Sequence, residues 1–252
     1  QDVNLEKNDN EVTTEASIYL RNEAQLIQGN TASSNSGDGQ ISVYQNAPDS
    51  DQWTYNFWCS PVGNEALAGS GNVNFGLFRI YDIDNSGGLK TESYVTKRTT
   101  GRNGKKDDLD NPNSGELTIS SRWLYTHPDG TFAEASWNRI NANDDVVAGM
   151  GFVMKGVDEN PVGGAGGVGF EYDFRGRANN GDMSVAVLAN NLTLSGNPYP
   201  SALDLNRLFY DYNGTVDLLG NNEISEIYFW SEDKDRNSHY YSENAGGYGT
   251  WT

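Results

Sequence analysis

The stretch Phe170-Glu-Tyr-Asp-Phe174 places an aromatic residue at every second position and an acidic residue between them. This period of two is typical of a β-strand that buries one face and leaves the other polar. The alternation recurs along the chain, and we count roughly a dozen short predicted strands. The others include the sets Ile18/Leu20, Ile41/Val43, Trp53/Tyr55/Phe57, Val73/Phe75/Leu77, Leu117/Ile119, Trp123/Tyr125, Val185/Val187 and Ile227/Phe229.

The segments between these strands carry the residues that tight turns require. Asp38-Gly39, Pro128-Asp129-Gly130, Asn180-Gly181 and Asn213-Gly214 each supply a glycine that can adopt a positive φ. Many short strands separated by such turns predict an all-β fold. We expect an antiparallel β-sandwich of the jelly-roll kind, and a β-barrel fits the same pattern.

One short helix is predicted after the turn Asn197-Pro-Tyr-Pro200. The two prolines hold the chain extended and form a corner. Ser201 and Asp204 then stand at the spacing of a capping box, with Ser201 as the expected N-cap. We expect a helix of about two or three turns that ends before Asn213-Gly214.

The charge of the chain limits its partners. Its 252 residues include 35 acidic and 17 basic side chains, so the formal net charge is −18. This charge repels phosphate backbones and argues against nucleic acid as a partner. No apolar run is long enough for a transmembrane helix.

The N-terminal part contains few apolar residues. We therefore expect residues 1–40 to form a lead-in or edge segment and residues 41–252 to form one β-sandwich-like module. The chain begins with Gln1-Asp2 and has no initiator methionine, as a mature secreted protein or a trimmed chain does. Its single cysteine, Cys59, allows no disulfide within the chain. We expect a secreted protein or one at the outer cell surface.

No motif carries a decisive catalytic signature, and the sequence favours a non-catalytic protein. Two carboxylate pairs have the composition that glycosidases use, Glu171 with Asp173 and Glu223 with Glu226. Such pairs arise by chance among 35 acidic residues, so solvated strand faces are the favoured explanation of both pairs. Exposed Trp and Tyr could instead form a platform on which sugars stack. His127 and His239 each lack a second ligand at zinc spacing.

The stretch Asp82-Ile-Asp84-Asn-Ser86-Gly87 resembles the first half of a calcium loop. Alternating oxygen ligands converge on a hard cation, and the glycine allows the sharp turn. The bidentate glutamate of such loops is displaced by one position, because residue 93 is Ser and the glutamate is Glu92. The alternatives are a calcium site at Asp82, Asp84 and Ser86, and a simple turn between two strands.

Five motifs follow one another along the chain: Asn56-Phe-Trp-Cys-Ser-Pro-Val-Gly63, Gly149-Met-Gly-Phe-Val-Met-Lys-Gly156, Tyr172-Asp-Phe-Arg-Gly-Arg-Ala-Asn-Asn-Gly181, Ser195-Gly-Asn-Pro-Tyr-Pro-Ser-Ala-Leu-Asp204 and Ile227-Tyr-Phe-Trp230. In this order they resemble the landmarks of a module in large, secreted, adhesin-like surface proteins of Bacteroidota that the type IX pathway exports. The most specific motif is Gly-Asn-Pro-Tyr-Pro-Ser-Ala-Leu-Asp. The resemblance spans about residues 15–252.

This resemblance implies a role at the cell surface. The expected function is a non-catalytic module for attachment or assembly, either on its own or as a segment of a larger secreted protein. Its implied partners are other surface-protein modules, the secretion machinery or glycans. Two alternatives remain open, a carbohydrate-binding or glycan-cleaving β-sandwich domain and a subunit of an extracellular filament or complex.

Calcium at Asp82 and Asp84 is expected to stabilise the folded chain, by about 2.7 kcal/mol when its concentration is about 100 times the dissociation constant. Thermal unfolding should therefore give a higher Tm in calcium than in chelator. Replacing both aspartates by asparagine should remove most of this difference, because the hard cation loses its charged ligands. Equal Tm values for the unsubstituted protein in the two conditions would mean that residues 82–88 form only a turn.

Overall fold

The computed structural model describes residues 2–6, 16–48, 50–64, 70–83, 93–95, 97–99, 118–141, 144–157, 170–206, 224, 226–232 and 246–251. The chain divides into two compact units, Gln1–Ser201 (unit 1) and Ala202–Thr252 (unit 2). The structure is mostly β, and within the described ranges no helix reaches seven residues.

In chain order the strands are β1 (Ile18–Leu20), β2 (Ile41–Ala47), β3 (Tyr55–Trp58), β4 (Val62–Gly63), β5 (Phe75–Gly76), β6 (Ile80–Ile83), β7 (Ser93–Val95), β8 (Lys97–Thr99), β9 (Thr118–Ser120), β10 (Tyr125–Thr126), β11 (Asn138–Arg139), β12 (Asp145–Val146), β13 (Phe152–Lys155), β14 (Phe170–Ala178), β15 (Ile227–Glu232) and β16 (Gly246–Trp251). Among the described residues, three short 3-10 helices accompany them, η1 (Leu77–Arg79), η2 (Ser121–Trp123) and η3 (Glu134–Ser136).

The largest sheet of unit 1 is built around β14. Its strand order is β1-β2-β14-β6-β7, and β4 pairs with the C-terminal end of β14. β14 runs antiparallel to β2, β4 and β6, and Phe174 lies opposite Val43 and Ile80. β1 pairs in parallel with β2 at the sheet edge, so the segment 1–40 contributes a strand to this sheet.

A second sheet of unit 1 has four antiparallel strands in the order β11-β10-β13-β3. Unit 1 also contains two smaller pairings, antiparallel β5 with β12 and parallel β8 with β9. The described part of unit 2 contains an antiparallel ribbon formed by β15 and β16.

Aromatic side chains from both larger sheets meet in one buried core. Trp58 of β3 lies 5.3 Å from Tyr172 and 5.7 Å from Phe174, measured between ring centroids. Phe75 stacks on Phe174 at 5.6 Å and on Phe152 at 6.3 Å. All five rings are buried, and edge or stacked contacts of this kind add to the free energy of burial itself. Tyr172 and Phe174 of the 170–174 stretch therefore anchor the core.

Two glycines of the 172–181 motif are required by geometry. A Cβ at Gly176 would overlap the carbonyl oxygen of Gly63, so only glycine lets β14 approach β4 this closely. Gly181 has a φ of +74°, as the predicted Asn180-Gly181 turn requires. A Cβ there would also lie 2.6 Å from the backbone nitrogen of Ser33.

The corner at residues 197–201 is closed by side-chain hydrogen bonds. Asn197 Nδ2 donates to the carbonyl of Ser201 at 2.6 Å, and the Tyr199 hydroxyl donates to the carbonyl of Gly181 at 2.7 Å. Helical backbone begins only at Leu205, and the N–H of Asn206 donates to Asp204 Oδ1 at 3.0 Å.

The predicted N-cap at Ser201 is therefore wrong, because Asp204 accepts the capping hydrogen bond three residues later. The short side chain of Ser201 belongs to the corner that precedes the helical turn. Residues 207–223 lie outside the described residues, so the predicted helix beyond Asn206 stays a prediction.

Candidate functional site

The predicted calcium site lies almost wholly outside the described residues. The backbone of Asp82 is placed in β6, opposite Tyr94 of β7, whereas Asp84 and Ser86 are not described. Among the residues that are described, no group of three His, Cys, Asp or Glu side chains is arranged to hold a metal ion. The calcium site therefore stays a prediction.

The carboxylates of Glu171 and Asp173 share the face of β14 that lies opposite Tyr172 and Phe174. Asp173 is fully buried. Its Oδ2 accepts a hydrogen bond from Arg175 Nε at 2.7 Å, and its Oδ1 accepts one from Ser42 Oγ at 2.5 Å. The Arg175 side chain is itself 1% exposed. Because this ion pair is sealed from solvent, its role is structural.

Two further arginines join this ion pair and form what we call the β14 charge cluster, composed of Arg21, Ser42, Arg79, Asp173 and Arg175. Arg21 donates to Ser42 Oγ at 2.8 Å, and Arg79 donates to the carbonyl of Arg175 at 3.1 Å. Burial lowers the pKa of both Arg21 and Arg79, and the charge of Asp173 opposes this change at Arg21. The hydrogen bonds connect Arg21, which follows β1, with strands β2 and β14 and with η1.

Glu171 is the accessible member of the carboxylate pair. Burial raises its pKa and the charge of Asp173 raises it further, while Arg21 lowers it. A carboxyl group with a raised pKa suits a general acid. A glycosidase nevertheless needs a second carboxylate that reaches the substrate, and the buried Asp173 does not supply one.

Only one member of the second carboxylate pair, Glu226, lies within the described residues. The Tyr228 hydroxyl donates a hydrogen bond to the Glu226 carboxylate, and this bond raises the pKa of Tyr228. Glu223 lies outside the described residues. Within the described ranges, Glu226 therefore accepts a hydrogen bond from a tyrosine hydroxyl and has no second carboxylate shown beside it.

His127 and Cys59 are both engaged by the fold. The two ring nitrogens of His127 face backbone carbonyl oxygens, Nδ1 at 3.1 Å from Leu192 and Nε2 at 2.9 Å from Thr131. Burial raises the pKa of the Cys59 thiol to about 12. A thiol with so high a pKa is a poor nucleophile at neutral pH. His239 lies outside the described residues.

The outer side of the four-stranded sheet carries a set of rings that we call the aromatic face, composed of Tyr55, Phe57, Trp123, Tyr125 and Trp137. The sheet register places Phe57, Val153 and Tyr125 side by side, since each lies directly opposite the next. The Phe57 and Trp137 rings meet edge to face at 6.2 Å. Phe57 is 36% exposed and the other four rings are partly exposed.

Three cations accompany the aromatic face. Lys155 is fully buried, and its Nζ lies 4.7 Å from the centroid of Tyr55 and 5.0 Å from that of Trp123. The Cζ of Arg122 lies 5.3 Å from the Trp123 centroid. Arg139 lies opposite Tyr125 in the sheet. The sequence gives no local signal for this cluster, because sheet register alone brings these distant positions together.

Unit 2 carries a second aromatic surface, the aromatic ribbon, formed by Tyr228, Trp230 and Tyr248 on one face of β15 and β16. Trp230 lies opposite Tyr248, with ring centroids 4.9 Å apart, and the Tyr228 and Tyr248 centroids are 6.0 Å apart. Gly246 is needed opposite Glu232 because a Cβ there would overlap the Trp230 ring. Tyr248 is 39% exposed, so this face is accessible to solvent.

Comparison with known protein families gives one assignment. A family described as a domain of unknown function, DUF8693, matches residues 2–250. The chain belongs to the DUF8693 family. No curated protein and no solved structure matches this DUF8693 chain. The family description assigns no activity.

The described parts of the DUF8693 chain contain no helix with the length and apolar character that crossing a bilayer requires.

Replacing Asp173 by Asn should destabilise the protein by about 3–5 kcal/mol, because the Arg175 guanidinium would stay buried without its counter-charge. Chemical denaturation measures this free energy of unfolding. The matched control is Asp182→Asn, an exposed aspartate for which we expect a change of at most about 0.5 kcal/mol. A cost below about 1 kcal/mol at Asp173 would contradict a structural role for the ion pair.

Replacing Glu171 by Gln should raise Tm at about pH 7. Burial raises the pKa of Glu171 in the folded state, so ionisation of this carboxyl group costs stability above its ordinary pKa of about 4.3. Below that pH both states are protonated, and the advantage of Gln should disappear. Melting curves between about pH 4 and pH 8 measure this. The exposed Glu134→Gln variant is the control, and a pH-independent gain at Glu171 would contradict the prediction.

Proposed function

We propose that this chain is a non-catalytic extracellular module for attachment or assembly, secreted or held at the outer cell surface. The observation that supports this most is the contrast between its rings and its carboxylates. The rings of the aromatic face and the aromatic ribbon are accessible. Asp173, by contrast, is buried in an ion pair, and Glu226 accepts a hydrogen bond from Tyr228.

The motifs that resemble type IX-exported surface proteins of Bacteroidota support the same location and the same class of function. Partners consistent with that resemblance are other surface-protein modules, the secretion machinery and glycans. The net charge of −18 agrees with these partners better than with nucleic acid.

We further propose that the two larger sheets of unit 1 pack face to face as a β-sandwich of the jelly-roll kind. The contacts of Trp58 with Tyr172 and Phe174 support this, since they join β3 of one sheet to β14 of the other. In a sandwich the inner faces form the core. The aromatic face and the face with the β14 charge cluster would then point away from the shared core.

Carbohydrate binding is the second candidate, and the aromatic ribbon favours it. Tyr228, Trp230 and Tyr248 place three neighbouring rings on one face of a two-stranded ribbon. Aromatic rings present a flat apolar surface with polar tips at Tyr and Trp. Such a surface matches the apolar face of a sugar ring while leaving its hydroxyl groups in water.

Affinity electrophoresis against a panel of neutral polysaccharides tests attachment through the aromatic ribbon. We expect Trp230→Ala to weaken binding at least about 10-fold, because a central aromatic anchor is lost. Phe229→Ala is the matched control, since Phe229 is 47% exposed on the same strand but points to the opposite face. This control should bind like the unsubstituted protein.

Two measurements on the same samples separate the alternatives. Release of reducing sugars from any polysaccharide would overturn the non-catalytic assignment. A molar mass in solution that rises with protein concentration would support assembly into a filament or complex. Binding that Trp230→Ala and Phe229→Ala reduce equally would remove the aromatic ribbon as the site.

A further inference from the structure

Two exposed arginines beside the aromatic face form no ion pair within the described part of the chain. They are Arg122 in η2 and Arg139 in β11. Both side chains are exposed, so their positive charge is accessible to a ligand.

The Arg139 side chain is held beside the segment that carries Arg122. Arg139 Nε donates a hydrogen bond to the carbonyl of Ser121 at 3.1 Å, which brings this side chain to the residue that precedes Arg122. The backbone N–H of Arg122 donates to Ser120 Oγ at 3.2 Å, which fixes the start of η2. The Nε bond of Arg139 orients its guanidinium and leaves the terminal nitrogens for another acceptor.

Aromatic rings lie directly beside these cations. Arg122 stands over Trp123, and Arg139 lies opposite Tyr125 in the sheet. The buried ammonium of Lys155 contacts the rings of Trp123 and Tyr55 and holds them by cation–π attraction. The rings are therefore fixed before a ligand arrives, which reduces the entropy that binding must overcome.

This combination selects for one kind of ligand. A guanidinium group binds a carboxylate through two parallel hydrogen bonds. An aromatic ring binds the apolar face of a sugar. We propose that Arg122, Arg139 and the aromatic face bind a carboxylate-bearing sugar, a uronic acid unit of an acidic polysaccharide. This proposal rests on the proposed attachment function and names a ligand class for it.

The overall charge of −18 opposes a ligand with one or two carboxylates only weakly. At physiological ionic strength the Debye length is about 8 Å, so distant acidic groups are screened while the two arginines act at contact. A nucleic acid duplex carries about one charge per 1.7 Å and needs a long track of cations. Two arginines suit one or two sugar carboxylates instead.

Isothermal titration calorimetry with oligogalacturonate tests the proposal, and methyl-esterified oligogalacturonate is the matched neutral ligand. We expect the charged ligand to bind at least about 10-fold more tightly than the neutral one. Its affinity should decrease as the NaCl concentration is raised from about 50 to about 500 mM. Arg122→Gln and Arg139→Gln should each weaken its binding about 10-fold.

The control for net charge is Asn22→Asp, which changes the charge by the same amount as each arginine variant. Asn22 is exposed and has a φ of +51°, a conformation that Asp also tolerates. This variant should bind oligogalacturonate within about twofold of the unsubstituted protein, because distant exposed charges are screened. Circular dichroism and Tm check that every variant is folded.

Three outcomes would overturn the proposal: no binding of oligogalacturonate or of alginate oligosaccharides, equal affinity for the charged and esterified ligands, or unchanged binding in both arginine variants. Tighter, arginine-dependent binding of duplex DNA would also overturn it. The proposed attachment function would survive each of these results if Trp230→Ala still weakens binding to neutral polysaccharides. The two proposals can therefore fail separately.

Discussion

The ion pair between Arg175 and Asp173 is the interaction on which the larger sheet of unit 1 depends. β14 is covered on both faces, since Phe174 lies in the aromatic core and Asp173 is fully buried on the other side. A buried charge is tolerated only when it is paired and hydrogen-bonded. The 2.7 Å contact with Arg175 and the bond from Ser42 meet this condition and tie β14 to β2.

The charged side chains around β14 are engaged in holding the fold together. Carboxylates and arginines that hold the fold together have no freedom to bind or transform a ligand. The aromatic face stabilises a different buried charge. Lys155 is buried against rings, and cation–π contacts stabilise its ammonium group there. Rings used in this way stay fixed at the surface, where they remain available to partners.

Much of the strand content could be predicted from the sequence, whereas the roles of individual charges could not. The period of two identifies β14 and β15, because alternation reports which side chains share a face. It does not report whether the polar face is solvated, so Asp173 could not be distinguished from an exposed acid. The cap at Asp204 was missed for a similar reason, since Ser201 and Asp204 both satisfy the local rule for an N-cap.

The aromatic face could not be predicted from the sequence, because it depends on the register in which the strands pair. Arg139 and Tyr125 lie opposite each other only in the pairing that β10 and β11 adopt, and a shift by one residue would turn Arg139 to the other face. The same pairing places Tyr125 opposite Val153, next to Phe57. The register that buries Phe152 and Trp58 in the core thus also places an arginine among rings on the outer side. Core packing therefore determines the chemistry of the surface, and a binding site can arise there without any local sequence motif.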